Sequence, residues 1–291
     1  MRPLSIAVLV FLTVFGAELS LGQQTNKRET DRDERELKGS VCSLKVTTEV
    51  IEAANKDDAD EGWKPSESTF DKYGNILTEV QFGSDGEIID KMIAEIDKSG
   101  NKVKETHFNN VGELKFTYFL GYDRNGNVIE SKSVEADGKI VGMSRFEFDK
   151  QGRNESNTSY NPDGTVNTTV RVIYDKFGER VQTTNSSPLS GVGSRFEYKR
   201  AKEKGGEILE TIIFNPDGTL HSRYLETTKD GDRTILGFDK EGTVAEKLTV
   251  EHTKRDAHGN WTMEIVTRWE TKDKELALKI KKKTTRSIGY F

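Results

Sequence analysis

Four histidines, one cysteine and 49 acidic residues are the groups in this chain with catalytic or ligating chemistry. His252, Asp256 and His258, with Glu251, lie close enough in sequence to suggest metal ligation by imidazole and carboxylate. Yet "DAHGN" (Asp256 to Asn260) is the same corner that "DRNGN" (Asp123 to Asn127) writes elsewhere, with His258 in its variable place. A plain turn therefore accounts for it. "DDADEG" (Asp57 to Gly62) is dense in acid but lacks the ligand spacing of a calcium loop. Cys42 sits in an alternating segment with no histidine fixed beside it, as a small core residue does rather than a nucleophile. No G-x-S-x-G, H-E-x-x-H or phosphate-binding glycine loop is present. Paired carboxylates for glycoside hydrolysis stay open, because so many acidic residues allow many pairs. No catalytic, cofactor-binding or metal-binding residue is assigned, no cofactor is expected, and no ligand-binding residue is identified.

The elements that would have to position any such group are written in repeats. Asp71, Asp97, Asp123, Asp149 and Asp175 stand 26 residues apart, and Gly74, Gly100, Gly126, Gly152 and Gly178 follow each at the third place. Between them fall Gly86, Gly112, Gly138 and Gly164, so successive corners alternate at 12 and 14 residues. The phrase "YNPDGTV" (Tyr160 to Val166) returns as "FNPDGTL" (Phe214 to Leu220). Such corners suit a type I turn with a glycine bulge, a common closure of a β-hairpin. Between corners, Leu114, Phe116, Tyr118, Leu120 and Tyr122 alternate with largely polar residues, as do Val166, Thr168, Val170, Val172 and Tyr174. The register loosens around "SSPLSGVGS" (Ser186 to Ser194) and "KRAKEKGGE" (Lys199 to Glu207) and resumes at Gly218.

The fold class expected is therefore all-β: an antiparallel β-hairpin repeat array of two strands per repeat. About fourteen or fifteen strands of roughly 27 to 30 Å would form a long twisted sheet, a spiral or an open barrel. The expected organisation is a signal peptide over 1–22 and a charged, flexible leader or frayed helix over 23–40. An opening strand and polar loop cover 41–63, and the hairpin repeats 64–291.

Composition fits this plan. At 33% hydrophobic and 32% charged residues, with a mean hydropathy of -0.70, the chain is poor in apolar residues for one thick core, whereas stacked repeats need less. The apolar run Ile6 to Phe15, then Ser20 and Gly22 before Gln23, reads as a cleaved export signal, which places the mature chain in the periplasm or outside the cell with no membrane span. A net charge of -5 argues against nucleic acid as a partner. The basic stretch Lys279 to Arg286 reads as a lysine-protected edge strand.

The aromatic-Asp-x-x-Gly pattern (Tyr122-Asp123 to Gly126, Phe148-Asp149 to Gly152, Tyr174-Asp175 to Gly178) resembles the YD repeats of RHS-type bacterial proteins. It is closer still to small exported bacterial proteins with degenerate YD-like repeats. The resemblance spans about residues 64 to 291 and implies a secreted or periplasmic hairpin array. In RHS proteins such arrays build a shell around a toxin or present a surface for carbohydrate and cell contacts. The longer period, the short array and the missing toxin domain depart from that pattern. The function expected is non-enzymatic binding of an envelope polysaccharide or a secreted protein. The alternatives are an extracellular glycan hydrolase or an accessory of a secreted toxin. No pattern in the residues sets an oligomeric state.

Overall fold

In the computed structural model, which describes residues 30–55, 58, 64–189 and 191–291, the chain is an antiparallel all-β barrel. Its strands are β1 (Val41–Ala53), β2 (Ser66–Phe70), β3 (Ile76–Phe82), β4 (Ile88–Ile96), β5 (Lys102–Phe108) and β6 (Leu114–Tyr122). Then come β7 (Val128–Glu135), β8 (Ile140–Phe148), β9 (Asn154–Tyr160), β10 (Val166–Tyr174), β11 (Arg180–Ser187) and β12 (Gly191–Glu203). The last six are β13 (Gly206–Phe214), β14 (Leu220–Lys229), β15 (Asp232–Phe238), β16 (Val244–Arg255), β17 (Trp261–Lys272) and β18 (Glu275–Tyr290). Each strand pairs with the next in sequence, and β1 pairs with β18, so the 18-stranded sheet closes on itself. The expected all-β, antiparallel hairpin order holds. The expected open or spiral form does not, because the opening strand is the seam that joins first edge to last.

The corners behave as their residues dictate. At Asp71, one carboxylate oxygen accepts the N–H groups of Tyr73, Gly74 and Asn75 at 2.8, 2.8 and 2.9 Å, and the other accepts the Asn75 amide at 2.8 Å. Asp97 and Asp123 likewise accept two backbone N–H groups and the amide of the asparagine after the corner glycine, and Asp149 accepts two backbone N–H groups and the Arg153 guanidinium. A carboxylate so engaged locks a turn and offers little to a cation. Strand number exceeds the expectation because the corners between Glu203 and Gly206 and between Lys272 and Glu275 lack the Asp-x-x-Gly spacing. Asp230 and Gly231 (φ 54 and 91), like Asp273 and Lys274 (φ 52 and 70), form two-residue loops with both φ positive.

In an up-and-down meander the corners alternate between two rims. Those of Asp71, Asp97, Asp123, Asp149, Asp175 and Asp256 share one rim, which the leader also meets; those of Gly86, Gly112, Gly138 and Gly164 share the other.

Cross-strand register sorts the side chains into two walls. One wall carries Leu44, Ser68, Phe70, Met92, Ala94, Phe196, Ile213, Val250, Glu264 and Ile280, all buried. Residues 30–40 also lie against this wall, the concave inner one. The outer wall is wet, with ion pairs Lys45–Glu67 (2.7 Å), Lys104–Glu95 (2.7 Å), Arg145–Glu130 (3.6 Å), Arg223–Glu210 (2.6 Å) and Lys283–Glu49 spread around it. The lysines of the basic stretch divide between the walls: Lys283 faces out, while Lys282 is buried inside.

The leader differs most from expectation. Residues 1–29, with the signal peptide, lie outside the described residues, as do 59–63 with Trp63. From Thr30 onward the leader is ordered into the barrel. Thr30 and Asp33 form a reciprocal capping box on α1 (Asp31–Glu34). Leu37, 4% exposed, joins Val41, Leu44, Phe70, Ile76, Met92 and Ala94 in the hydrophobic core. That core occupies one arc of the barrel, on the inner wall of β1 to β4.

Gly74 and Gly126 occupy equivalent corners with φ of 99 and 87, a region costing a non-glycine residue about 1–2 kcal/mol. A Cβ on Gly126 would meet nothing within 4 Å, while one on Gly74 would stand 2.8 Å from Thr30 Oγ1 and 3.1 Å from Arg32. Gly74→Ala is thus expected to destabilise more than Gly126→Ala in urea denaturation. It should also speed tryptic cleavage at Arg32 and Arg35 in the native protein; equal behaviour of the two variants would contradict the leader's seat at this corner.

Candidate functional site

The inner wall gathers charge and aromatic rings that are far apart in sequence. On β4 to β6, His107 stacks on Phe116 with centroids 4.4 Å apart and meets Tyr118 edge-on at 5.8 Å. Its Nδ1 lies 3.3 Å from Asp90 Oδ2 and its Nε2 3.8 Å from Glu105 Oε2. Lys102 bridges Asp31 of the leader and Glu105, at 2.8 Å to each. The rings stand beside strongly held charges.

Burial alone would raise the Glu105 pKa, but the His107 imidazole and the Lys102 ammonium outweigh it and hold the carboxyl at about 2. A carboxyl depressed from its ordinary value of 4.5 contributes stability that is full above that value and is lost as pH falls through about 2. The contribution is on the order of 3 kcal/mol. Urea midpoints of wild type should therefore fall between pH 4.5 and 2 by more than those of Glu105→Gln, which starts lower and changes less. Parallel profiles would refute the assignment.

A second group lies on β16 to β18. His252 Nε2 is 3.2 Å from Glu264 Oε2, each side chain 9% exposed, and the imidazole stacks on Trp261 at 5.2 Å. The Arg286 guanidinium covers Trp261 at 3.4 Å, and burial lowers its pKa to about 10. Its Nη1 donates to the Arg35 carbonyl at 3.2 Å, so the leader passes directly over this group. Arg35 itself donates to Ser68 Oγ at 3.1 Å and Glu79 Oε1 at 2.8 Å.

The leader is latched at Asn260, which is 1% exposed. Its Oδ1 accepts the Lys38 N–H at 2.6 Å, and its Nδ2 donates to the Lys38 carbonyl at 3.0 Å and to the Tyr290 hydroxyl at 2.8 Å. Tyr290 in turn donates to Asp256. His258 stacks on Tyr290 at 4.1 Å.

The four residues of the metal reading do not come together. Asp256 holds its own corner, His258 packs at the rim, His252 points inward, and Glu251 falls on the outer wall by register. Among the described residues no cluster of three His, Cys, Asp or Glu could hold a metal ion. Cys42 is a free thiol, half-buried in β1. Two carboxylates do meet across strands, Glu246 opposite Glu270. Burial raises the Glu246 pKa, with Arg268 opposing and Glu270 reinforcing the shift. Glu270 is held by Lys279 at 2.8 Å and Arg268 at 3.2 Å.

Aromatic residues divide by wall. Phe116, Tyr118, Phe146, Tyr198 and Tyr224 face inward, while Phe119, Phe214, Phe238 and Trp269 face outward. Arginines lie over Phe214 at 4.3 Å and Phe238 at 4.9 Å, and Lys247 over Trp269 at 4.9 Å. Sequence reasoning missed Leu37, Asn260, His252, Glu264 and Arg286 as a connected set. The one local signal was the asparagine after each corner glycine, and it does not distinguish Asn260 from Asn127.

No family model matches the sequence, and no curated protein matches it. Among solved structures, a porin-like protein from Bacteroides uniformis is 10% identical, over 87% of this chain and 99% of its own, with a TM-score of 0.43. A TcdB2–TccC3–Cdc42 toxin complex is 13% identical, over 83% of this chain and 16% of its own, with a TM-score of 0.21. The Photorhabdus luminescens Tc holotoxin pore is 12% identical, over 83% and 17%, also at 0.21. The chain thus spans about a sixth of the length of the toxin chains it matches.

Proposed function

We propose that this is an exported, non-enzymatic binding barrel whose inner wall receives a strand of envelope polysaccharide. The observation that carries the reading is the inner wall itself. Half-buried rings of Phe116, Tyr118, Phe146, Tyr198 and Tyr224 stand among fixed charges in a closed sheet of eighteen strands. Barrels of that size leave room for an aqueous interior, and aromatic faces beside polar groups suit sugar rings.

The outer wall argues for a barrel in water rather than in lipid. Among the described residues no helix is long and apolar enough to cross a membrane. For a barrel the test is the outward face, which in a membrane carries an apolar band where a basic residue at mid-depth costs about 2–4 kcal/mol. Here that face carries lysine–glutamate and arginine–glutamate pairs on β1, β2, β4, β5, β7, β8, β13, β14 and β18. The expected compartment is the periplasm or the cell exterior.

A polypeptide ligand is the second reading, favoured by one observation: residues 30–40 of the chain itself already lie along the inner wall. A hydrolase is the third, with Glu246 and Glu270 as its carboxylates; both are engaged by Arg268, and Glu270 also by Lys279.

Residues 23–291 should be retained saturably on immobilised envelope polysaccharide and release no shortened product. Tyr118→Ala should weaken retention at least tenfold, the order of one lost aromatic stacking contact. Phe119→Ala, on the outer wall and 43% exposed, should leave it unchanged. Retention insensitive to both would remove the inner wall from the mechanism, and product release would favour the hydrolase.

A further inference from the structure

The rim that carries the Asp corners has a step. β11 pairs with β12 through Gln182 opposite Glu197, and Val181 and Arg180 continue beside Tyr198 and Lys199 before the corner at Asp175 to Gly178 turns the chain away. β12 continues to Glu203, paired with β13 through Glu203 opposite Gly206. Residues 200–203 therefore have a strand on one side and, among the described residues, none on the other. The unpaired edge is roughly 13 Å long.

In a two-residue hairpin loop the flanking pair is hydrogen-bonded, so Glu203, Ala201 and Lys199 direct their backbone groups toward β13. Arg200 and Lys202 then present their N–H and C=O to the open side. A groove of about 460 Å³ lies along this edge, lined among others by Phe177, Arg180, Tyr198, Arg200 and Lys202. Arg180 stacks over the Tyr198 ring at 4.4 Å, and Phe177 on the adjoining corner is 78% exposed. The groove carboxylates are already engaged. Asp175 holds its corner, while Glu179 and Glu207 both pair with Arg200. Arg180 and Lys202 have no carboxylate at ion-pair distance among the described residues.

We propose that this edge is a docking site for an extended, acidic segment of a partner protein, which adds to the barrel rim as a strand beside β12. Backbone pairing would supply the affinity. Arg180 and Lys202 would select acidic side chains at alternate positions, and Phe177 and Tyr198 an apolar one beyond them. A second copy fits poorly: Arg200 and Lys202 are the residues that present backbone groups to the open side, so antiparallel self-pairing about Ala201 sets Arg200 opposite Lys202, and facing like charges destabilise a sheet. By register Tyr198, Arg200 and Lys202 share the inner wall of Phe196 where it reaches the rim, and the peptide test tells the two readings apart because N-methylation abolishes strand pairing and leaves sugar stacking untouched.

The probe is a fluorescein-labelled peptide Thr-Val-Glu-Val-Glu-Val-Thr, titrated with residues 23–291 and read by anisotropy. Saturable binding is expected, weakened at least tenfold by Arg180→Glu with Lys202→Glu, and also by N-methylation of alternate peptide amides that leaves the charges intact. A lysine-for-glutamate peptide should not bind. The double variant should keep the wild-type circular dichroism and thermal transition, since neither side chain is buried. Absence of binding would overturn the proposal. So would equal affinity for the N-methylated peptide, which would mean charge attraction without strand addition. Displacement of the peptide by self-association in sedimentation velocity would also overturn it, by assigning the edge to a second copy.

Discussion

Asn260→Ala is expected to lower the free energy of unfolding by about 3 kcal/mol, and Asn127→Ala by about 1 kcal/mol. The two asparagines hold the same place after a corner glycine. Asn127 donates only to the carboxylate of its own corner, at 2.9 Å, and is half-buried. Asn260 is almost completely buried and joins four groups: the Lys38 N–H, the Lys38 carbonyl, the Tyr290 hydroxyl and Asp256. Truncation strands several buried polar groups at once, and each costs about 1–3 kcal/mol when left without a partner. Urea denaturation at pH 7 measures both. Equal losses would show that the leader is not latched through this residue.

The second large effect is expected at Leu37. Leu37→Ala should cost about 3 kcal/mol, within the range for a buried leucine in a cluster that relaxes only in part. Leu189, 97% exposed, is the matched control, and Leu189→Ala should change stability by less than about 0.5 kcal/mol. Hydrogen exchange offers a more specific readout than the midpoint. Loss of the Leu37 anchor should expose the N–H of Ile76, which donates to Asp31 at 2.6 Å, and that of Arg32, which donates to the Gly74 carbonyl at 2.9 Å. Were these amides to stay protected, the leader would be held by its polar contacts alone.

Both expectations concern a segment whose composition reads as solvent-loving. Residues 30–40 carry no apolar periodicity, and their one leucine gives no sign of its destination. What composition could not show is that two of the segment's charges have counterparts on the inner wall. Asp31 meets Lys102, and Arg35 meets Glu79 and Ser68, on strands far along the chain. A lone apolar residue between paired charges is enough to seat such a segment once a concave wall exists to receive it. The candidate site was illegible for the same reason. His107 and Phe116 touch only because β5 and β6 pair in one register, and the Arg286–Trp261–His252–Glu264 group needs three strands aligned.

The sequence by itself determined the corners and the strands between them. An aspartate, two free positions and a glycine close a turn through bonds within five residues, so no distant partner is needed to read it. Alternation likewise settles which side chains share a wall, because a strand turns its residues by half a revolution each step. Tertiary structure alone decided that the sheet closes. Every antiparallel edge presents the same backbone donors and acceptors, and nothing in Val41–Ala53 marks it as the partner of Glu275–Tyr290 rather than of any other free edge. Closure follows from the twist and tilt accumulated over all the strands, and it creates the inner wall, where the leader, the charges and the rings are brought together.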